Sequence, residues 1–272
     1  MRNAIAASSD LLGHHFVPRT WLFRLVQLAG LSAALYMVSV ETASSVWWLI
    51  GLLAYFCSAC LGMAICFHRV LAHRALTLPK GLEYLFTVFG ALGGTGSSLG
   101  WIAVHRKHHA HPDTERDPHA PGRFGWRLLV SAFEEDYDWW RVRDLMRDPF
   151  HLFLHRNYLL IIGLWAVILW LIDPRAMVFV FLIPAAAQIT VTNLSTILGH
   201  GHGYRNFDTS DESTNNALLA LLTWGEGWHN NHHANPRRCF LGLRWWEIDI
   251  AGLVIKVLLV LKLIDRASLA KE

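Results

Sequence analysis

Eight of the sixteen histidines in this 272-residue chain fall into three clusters. His68 and His73 stand in HRVLAH, His105, His108 and His109 in HRKHH, and His229, His232 and His233 in HNNHH. Neutral imidazole is the commonest protein ligand for metals, and a metal site needs its ligands to converge. Eight imidazoles are too many for one closed structural zinc site, which takes four ligands, often thiolates. They suit two ions with positions left for oxygen or water. Iron accepts imidazole ligands and activates dioxygen, so the chemistry indicated is oxidative. A lone histidine beside an apolar stretch reads as interfacial or pH-titrating; three clusters with this spacing do not.

The elements that carry the clusters constrain how they meet. On an α-helix, residues i, i+3 and i+4 share a face. Each H-x-x-H-H therefore predicts a helix that aims its three rings one way. His68 and His73 are five apart, about 140° round an ideal helix, which predicts that they straddle a helix end that opens.

Each cluster lies beside apolar sequence. The chain is 53% hydrophobic with thirteen tryptophans, a composition that points to a membrane rather than to a soluble domain. Spanning helices need about 17–25 mostly apolar residues. Residues 21–40, 46–67, 158–172 and 176–198 qualify, the last with a kink expected at Pro184. Gly81 to Val104 is also apolar but carries Glu83 and the glycine-rich GALGGTGSSLG. A full crossing there would put the first two clusters on opposite sides, so a re-entrant or interfacial segment is expected. Ile250 to Ile264, with Lys256 and Lys262, reads as interfacial or peripheral.

Residues 68–157 carry 12 Lys and Arg and residues 199–272 carry 8, while the short loops between paired spans carry only Arg175. The positive-inside rule then places both termini and all three clusters on the cytoplasmic side. A formal net charge of +3 does not argue for nucleic acid. No linker divides the chain, so residues 1–272 read as one domain. The N-terminal segment lacks the apolar core of a cleaved signal peptide. Cys57 and Cys60 form a C-x-x-C inside an apolar run, where thiols act as small hydrophobes.

The segments HRVLAHR, WIAVHRKHHAHPDTERDPHAPGRFGW, GEGWHNNHHANP and GLRWWEID resemble the integral-membrane fatty-acid desaturase family, most of all its stearoyl-CoA-type Δ9 branch in a bacterial version. The resemblance covers about residues 45–255. It implies an all-α membrane protein in which four transmembrane helices bear a cytosolic helical cap carrying a histidine-box diiron site. It also implies a ninth ligand, matched by His200 in HGHGYRNFD, with His202 the competing choice. Relatives carry an Asn four residues before that histidine; this chain has Thr196, with Asn193 a turn earlier, so Thr196 stays outside the ligand set. The activity implied is O₂-dependent insertion of a cis double bond into a fatty acyl-CoA or acyl lipid, in a bacterial inner membrane. With no haem domain, flavin motif or iron–sulfur cysteine set, the electrons are expected from ferredoxin, rubredoxin or cytochrome b5 with its reductase.

Ligating histidines usually give their second N–H to a carboxylate or carbonyl, and Asp113, Glu115, Asp117 and Glu226 are the candidates near the boxes. Asn230 and Asn231 are expected to cap or orient rather than bind metal. Phe56 and Cys60 lie about 18 and 12 Å before His68 on a helix, a depth suited to the floor of an acyl tunnel. Arg74, Arg106, Lys107, Arg237 and Arg238 are candidates for headgroup phosphates or anionic lipid. A histidine-box lipid hydroxylase or carotenoid ketolase would share metals and topology. A membrane metal transporter or sensor would need ligands within its spans, not at one rim.

Overall fold

The computed structural model describes residues 19–39, 44–130 and 137–270. The expectations for the N-terminal segment and for the loop around Glu41 fall outside these. The described residues are mostly helical and hold no β-strand, only isolated bridges. Among the described residues, three helices are long and apolar enough to cross a membrane, and four if a bent pair counts as one span.

Helix α1 is Arg19–Ser39 and α2 is Ser45–Ala72. Helix α3, Lys80–Leu92, and α4, Ser98–Ala110, follow. Helices α5, Pro149–Arg156, and α6, Tyr158–Ile172, meet at 69°. Helix α7, Pro174–Gly199, completes the set of long apolar helices. Three shorter helices, α8 (Ala217–Leu222), α9 (His229–Ala234) and α10 (Ile250–Val260), lie in the C-terminal part. At about 1.5 Å per residue, α6 alone reaches about 22 Å, short of the ~30 Å of hydrocarbon. Pro184 follows a π-helical turn, Met177–Leu182, in which the wider ring of hydrogen bonds re-registers the backbone before the proline interrupts it.

Segment 80–110 is a helical hairpin. Two helices of thirteen residues flank the glycine turn, and the chain returns to its starting level, because the His73 and His105 rings touch at its two ends. Its first arm packs on α2 where Gly62 meets Gly90. A Cβ on Gly62 would come 2.2 Å from the Gly90 nitrogen, so only hydrogen fits between the backbones.

From Phe56 to Ala72, α2 is wound as a π-helix. The His73 N–H donates to the His68 carbonyl, five residues back, at 3.1 Å. A π-helix has about 4.4 residues per turn, so positions five apart come within about 50° of each other instead of 140°. This corrects the expectation of an opened helix end. The winding itself brings the two rings to a centroid distance of 4.8 Å.

Phe67, Leu71, Leu99, Ile102, Val142 and Ile255 form one core joining α2, α4 and α10 behind the histidines. Helix α10 turns Ala251, Ile255 and Leu258 inward and leaves Leu253, Val257 and Val260 exposed; its eleven residues are too few to span. All four cysteines are free, and Cys60, Cys66 and Cys239 are buried.

Candidate metal centre

The nine histidines form two adjoining groups. His68, His73, His105, His109 and His232 make one, and His108, His200, His229 and His233 the other; within each, the ligand atoms lie within 4.8 Å of one another. Nε2 faces Nε2 at 3.0 Å for His68 and His232, 2.7 Å for His73 and His105, and 2.9 Å for His109 and His232. In the second group the His200–His229 separation is 3.0 Å. Two nitrogens at about 2.1 Å from one ion and at right angles to each other would stand ~3.0 Å apart. The donor spacing therefore fits a shared cation, and five convergent nitrogens outnumber what N–H···N bonds can satisfy.

Each H-x-x-H-H box divides between the groups. His105 and His109, a helical turn apart, serve the first group, and His108 serves the second. In the last box His229 and His233 serve the second group, and His232 crosses to the first. The three rings of a box thus share a helix but not a destination, because i+3 lies about 60° from i and i+4 about 40° to the other side. The groups touch where the His109 and His233 rings approach to 4.5 Å. His200 is buried in the second group, whereas His202 is exposed.

Four rings are oriented by carboxylates. His68 Nδ1 contacts Glu226, His108 Nδ1 meets Asp117 at 2.8 Å, His200 Nδ1 meets Asp113 at 2.9 Å, and His233 Nδ1 meets Asp211 at 2.8 Å. Each Nδ1–H donates to the carboxylate, which leaves Nε2 unprotonated and facing its group. Burial alone would raise these carboxyls. The histidine partners outweigh it, joined by Arg69 at Glu226, and hold all four below their ordinary range. Burial, followed by the neighbouring imidazoles, pushes His73, His105, His109, His229 and His232 well below the usual histidine value. His233 falls to about 4 from burial, despite its Asp211 hydrogen bond. Neutral rings are the form that binds metal.

Of the four expected carboxylates, Asp113, Asp117 and Glu226 reach ring nitrogens. Glu115 is exposed, and its carbonyl accepts from Arg123. Asp211 was not anticipated; its only sequence signal is an acid in the polar stretch between His200 and the last box. Asp211→Asn is expected to weaken metal binding about 10- to 100-fold in chelator competition. Unchanged affinity would show that Asp211 only braces its loop through Thr209 and Ser213.

Asn230 and Asn231 orient their helix. The Asn230 Oδ1 accepts from the Asn206 and Phe207 N–H groups, and Asn231 joins Asn206, Asn215, Leu241 and Glu247. Behind His68, the buried Arg69 spends all five N–H groups on Glu226, Asp249 and the Cys239 carbonyl, at 2.8–3.1 Å. The GLRWWEID tail thereby reaches the residues that hold His68.

An apolar cavity opens onto the centre. Ala59, Met63, Ala64, Val104 and Ile189 line it with His68, His105, His108, His200 and His229. Asn193 and Thr196 are also in its wall. The expected tunnel residues need correction. Phe56 and Cys60 do not line the cavity; Tyr55, Ala59, Met63 and Ala64 do, at the four- and five-residue intervals of a π-wound face. Cys60 is in the core instead.

Arg106 also departs from its expected headgroup role. Its five N–H groups go to the Leu71, Ala72 and Arg141 carbonyls and to both Asp144 oxygens. It seals the end of α2 and ties the first box to the second. Arg74 is exposed and paired with Asp144, Lys107 is buried, and Arg237 is exposed.

A fatty acid desaturase family profile matches residues 45–256. The chain is 34% identical over 239 residues to an sn-1 stearoyl-lipid 9-desaturase of Anabaena variabilis, covering 82% of this chain and 84% of that one. It is 35% identical to an icosanoyl-CoA 5-desaturase of Limnanthes douglasii, over 94% of this chain and 76% of the relative. An sn-2 palmitoyl-lipid 9-desaturase of Nostoc sp. is 35% identical, over 80% of each chain.

Proposed function

The chain belongs to the fatty acid desaturase family, and from that premise we propose that it inserts a cis double bond, at the Δ9 position, into a saturated acyl chain carried as a CoA thioester or lipid ester. The observation that carries this reading is the apolar cavity with members of both histidine groups in its wall. His68, His73, His105, His109 and His232 would hold one iron and His108, His200, His229 and His233 the other. Two irons, when bound, supply activation of O₂ and removal of one hydrogen from each of two adjacent methylenes, a reaction that also consumes two electrons and two protons and releases water.

The chain's own residues do the rest. Glu226, Asp117, Asp113 and Asp211 fix ring orientation and keep the Nδ1 protons in place. The walls of α2, α4 and α7 hold the acyl chain still and keep bulk water from the reacting carbons. A separate ferredoxin, rubredoxin or cytochrome b5 supplies the electrons, and the charge bias of the loops sets the centre on the cytoplasmic face of the membrane.

Expression in a host rich in saturated chains, with gas chromatography–mass spectrometry of its lipids, tests this. Mono-unsaturated products with the double bond at Δ9 are expected. Hydroxylated chains, or no new product, would sink the reading; a bond at Δ5 would leave the reaction standing and remove the position.

A further inference from the structure

One wall of the cavity carries a tryptophan in an unusual backbone conformation. Trp224 has φ +62°, and a bulky residue in that region is a genuine outlier that persists only where its surroundings impose it. Those surroundings are visible. The Trp224 carbonyl accepts the Ala251 N–H at 2.7 Å. Gly225 follows with φ +118°, and a Cβ there would come 2.3 Å from Asp249 Oδ1. Glu226, next in line, is fixed by Arg69. With the backbone held on that side, the Trp224 ring forms part of the cavity wall.

There it meets Tyr55 at 5.6 Å and Phe56 at 5.3 Å between ring centroids. Tyr55 is the cavity-lining residue of α2 most distant from His68, roughly 15–20 Å along the helix. Its hydroxyl donates to the Leu222 carbonyl at 2.7 Å, which fastens the end of α8 to α2 at the same level. Between Tyr55 and His68 the lining residues on this helix are Ala59, Met63 and Ala64. Buried tryptophans ordinarily bond their N–H, as Trp228 does to the Ile248 carbonyl at 2.9 Å. The Trp224 Nε1 is buried without a hydrogen-bond partner among the described residues. What this side chain contributes to the cavity wall is therefore bulk rather than a hydrogen bond.

We propose that Trp224, tilted against Tyr55, is the stop that closes the acyl cavity and fixes how many carbons extend beyond the histidine groups. This makes it a specificity-determining residue, and the assignment rests on the desaturase reading of the site. Trimming the ring in steps then admits progressively longer chains.

The test expresses the full-length protein and its Trp224→Phe, Trp224→Leu and Trp224→Ala variants in a host supplied with saturated chains of graded length. The product ratio of longer to shorter unsaturated chains is read by mass spectrometry. One methylene in an apolar pocket is worth roughly 10- to 200-fold in discrimination, so the ratio is expected to rise about 10-fold or more for Ala, with Leu and Phe in between. Tyr55→Phe, which only unfastens the hydroxyl, shifts it the same way by less. An unchanged ratio across the series, with unsaturated products still formed, overturns the proposal. So does loss of product from all three Trp224 variants in protein that is membrane-inserted and metal-loaded, since that marks a structural role. If the unaltered protein forms no unsaturated chain, the desaturase reading fails and the stop falls with it.

Discussion

His232→Ala protein is expected to form no unsaturated product above background and to hold far less metal than the unaltered chain, a loss of more than about 100-fold in affinity at the first group. His232 has this leverage because of where it stands. Its Nε2 faces both His68 and His109 at 3.0 and 2.9 Å, and its ring lies 4.6 Å from His73. It is also the one member of the last box that serves the first group. Elemental analysis of the purified protein, with product assay on the same sample, checks both halves. Full metal content with full turnover would remove the ligand assignment.

Arg69→Ala has the largest effect expected on stability. The guanidinium sits between Glu226 and Asp249, fully buried, and makes every hydrogen bond available to it. Without it, two carboxylates face each other with no cation between them. Breaking a buried ion pair by removing one partner costs about 3–5 kcal/mol. For a chain of this size that corresponds to a fall of about 10 °C in the thermal midpoint, measured in detergent. His68 loses its fixed orientation as well, because Glu226 is its partner. A shift under about 2 °C would show that solvent or local relaxation rescues the acids. Arg69→Lys keeps the charge but not the five-donor fork, so it is expected to recover only part of the loss.

The three boxes were legible in the sequence because ligand spacing on a helix is a local property. Residues one turn apart must be neighbours, and charged or imidazole side chains at the ends of apolar runs stand out. The long apolar helices were legible for the same reason, with starts within two residues of those observed. The glycine-rich turn at Gly93 to Ser97 announced the hairpin of α3 and α4 through the one requirement that the boxes meet.

What could not be read depends on the third dimension. Nothing in FCSACLGMAICFHRVLA distinguishes a π-helix from an α-helix, since both are written in the same apolar alphabet. The winding accompanies the close Gly62–Gly90 approach, and the cavity wall carries Tyr55 and Ala59 rather than Phe56 and Cys60. Arg106 looked like a free cation because its four partner residues lie 34 to 38 residues away. Asp211 and Asp249 are ordinary acids in sequence; only the fold brings one to His233 and the other to Arg69.

The division of each box between two destinations also governs when the centre can exist. A nascent chain extended through His200, just past α7, owns four rings of one group and two of the other, and the missing members all lie in the final HNNHH. Both cages therefore wait for the same late stretch of polypeptide, and they close together. Premature termination before residue 229 leaves no intact half-site behind.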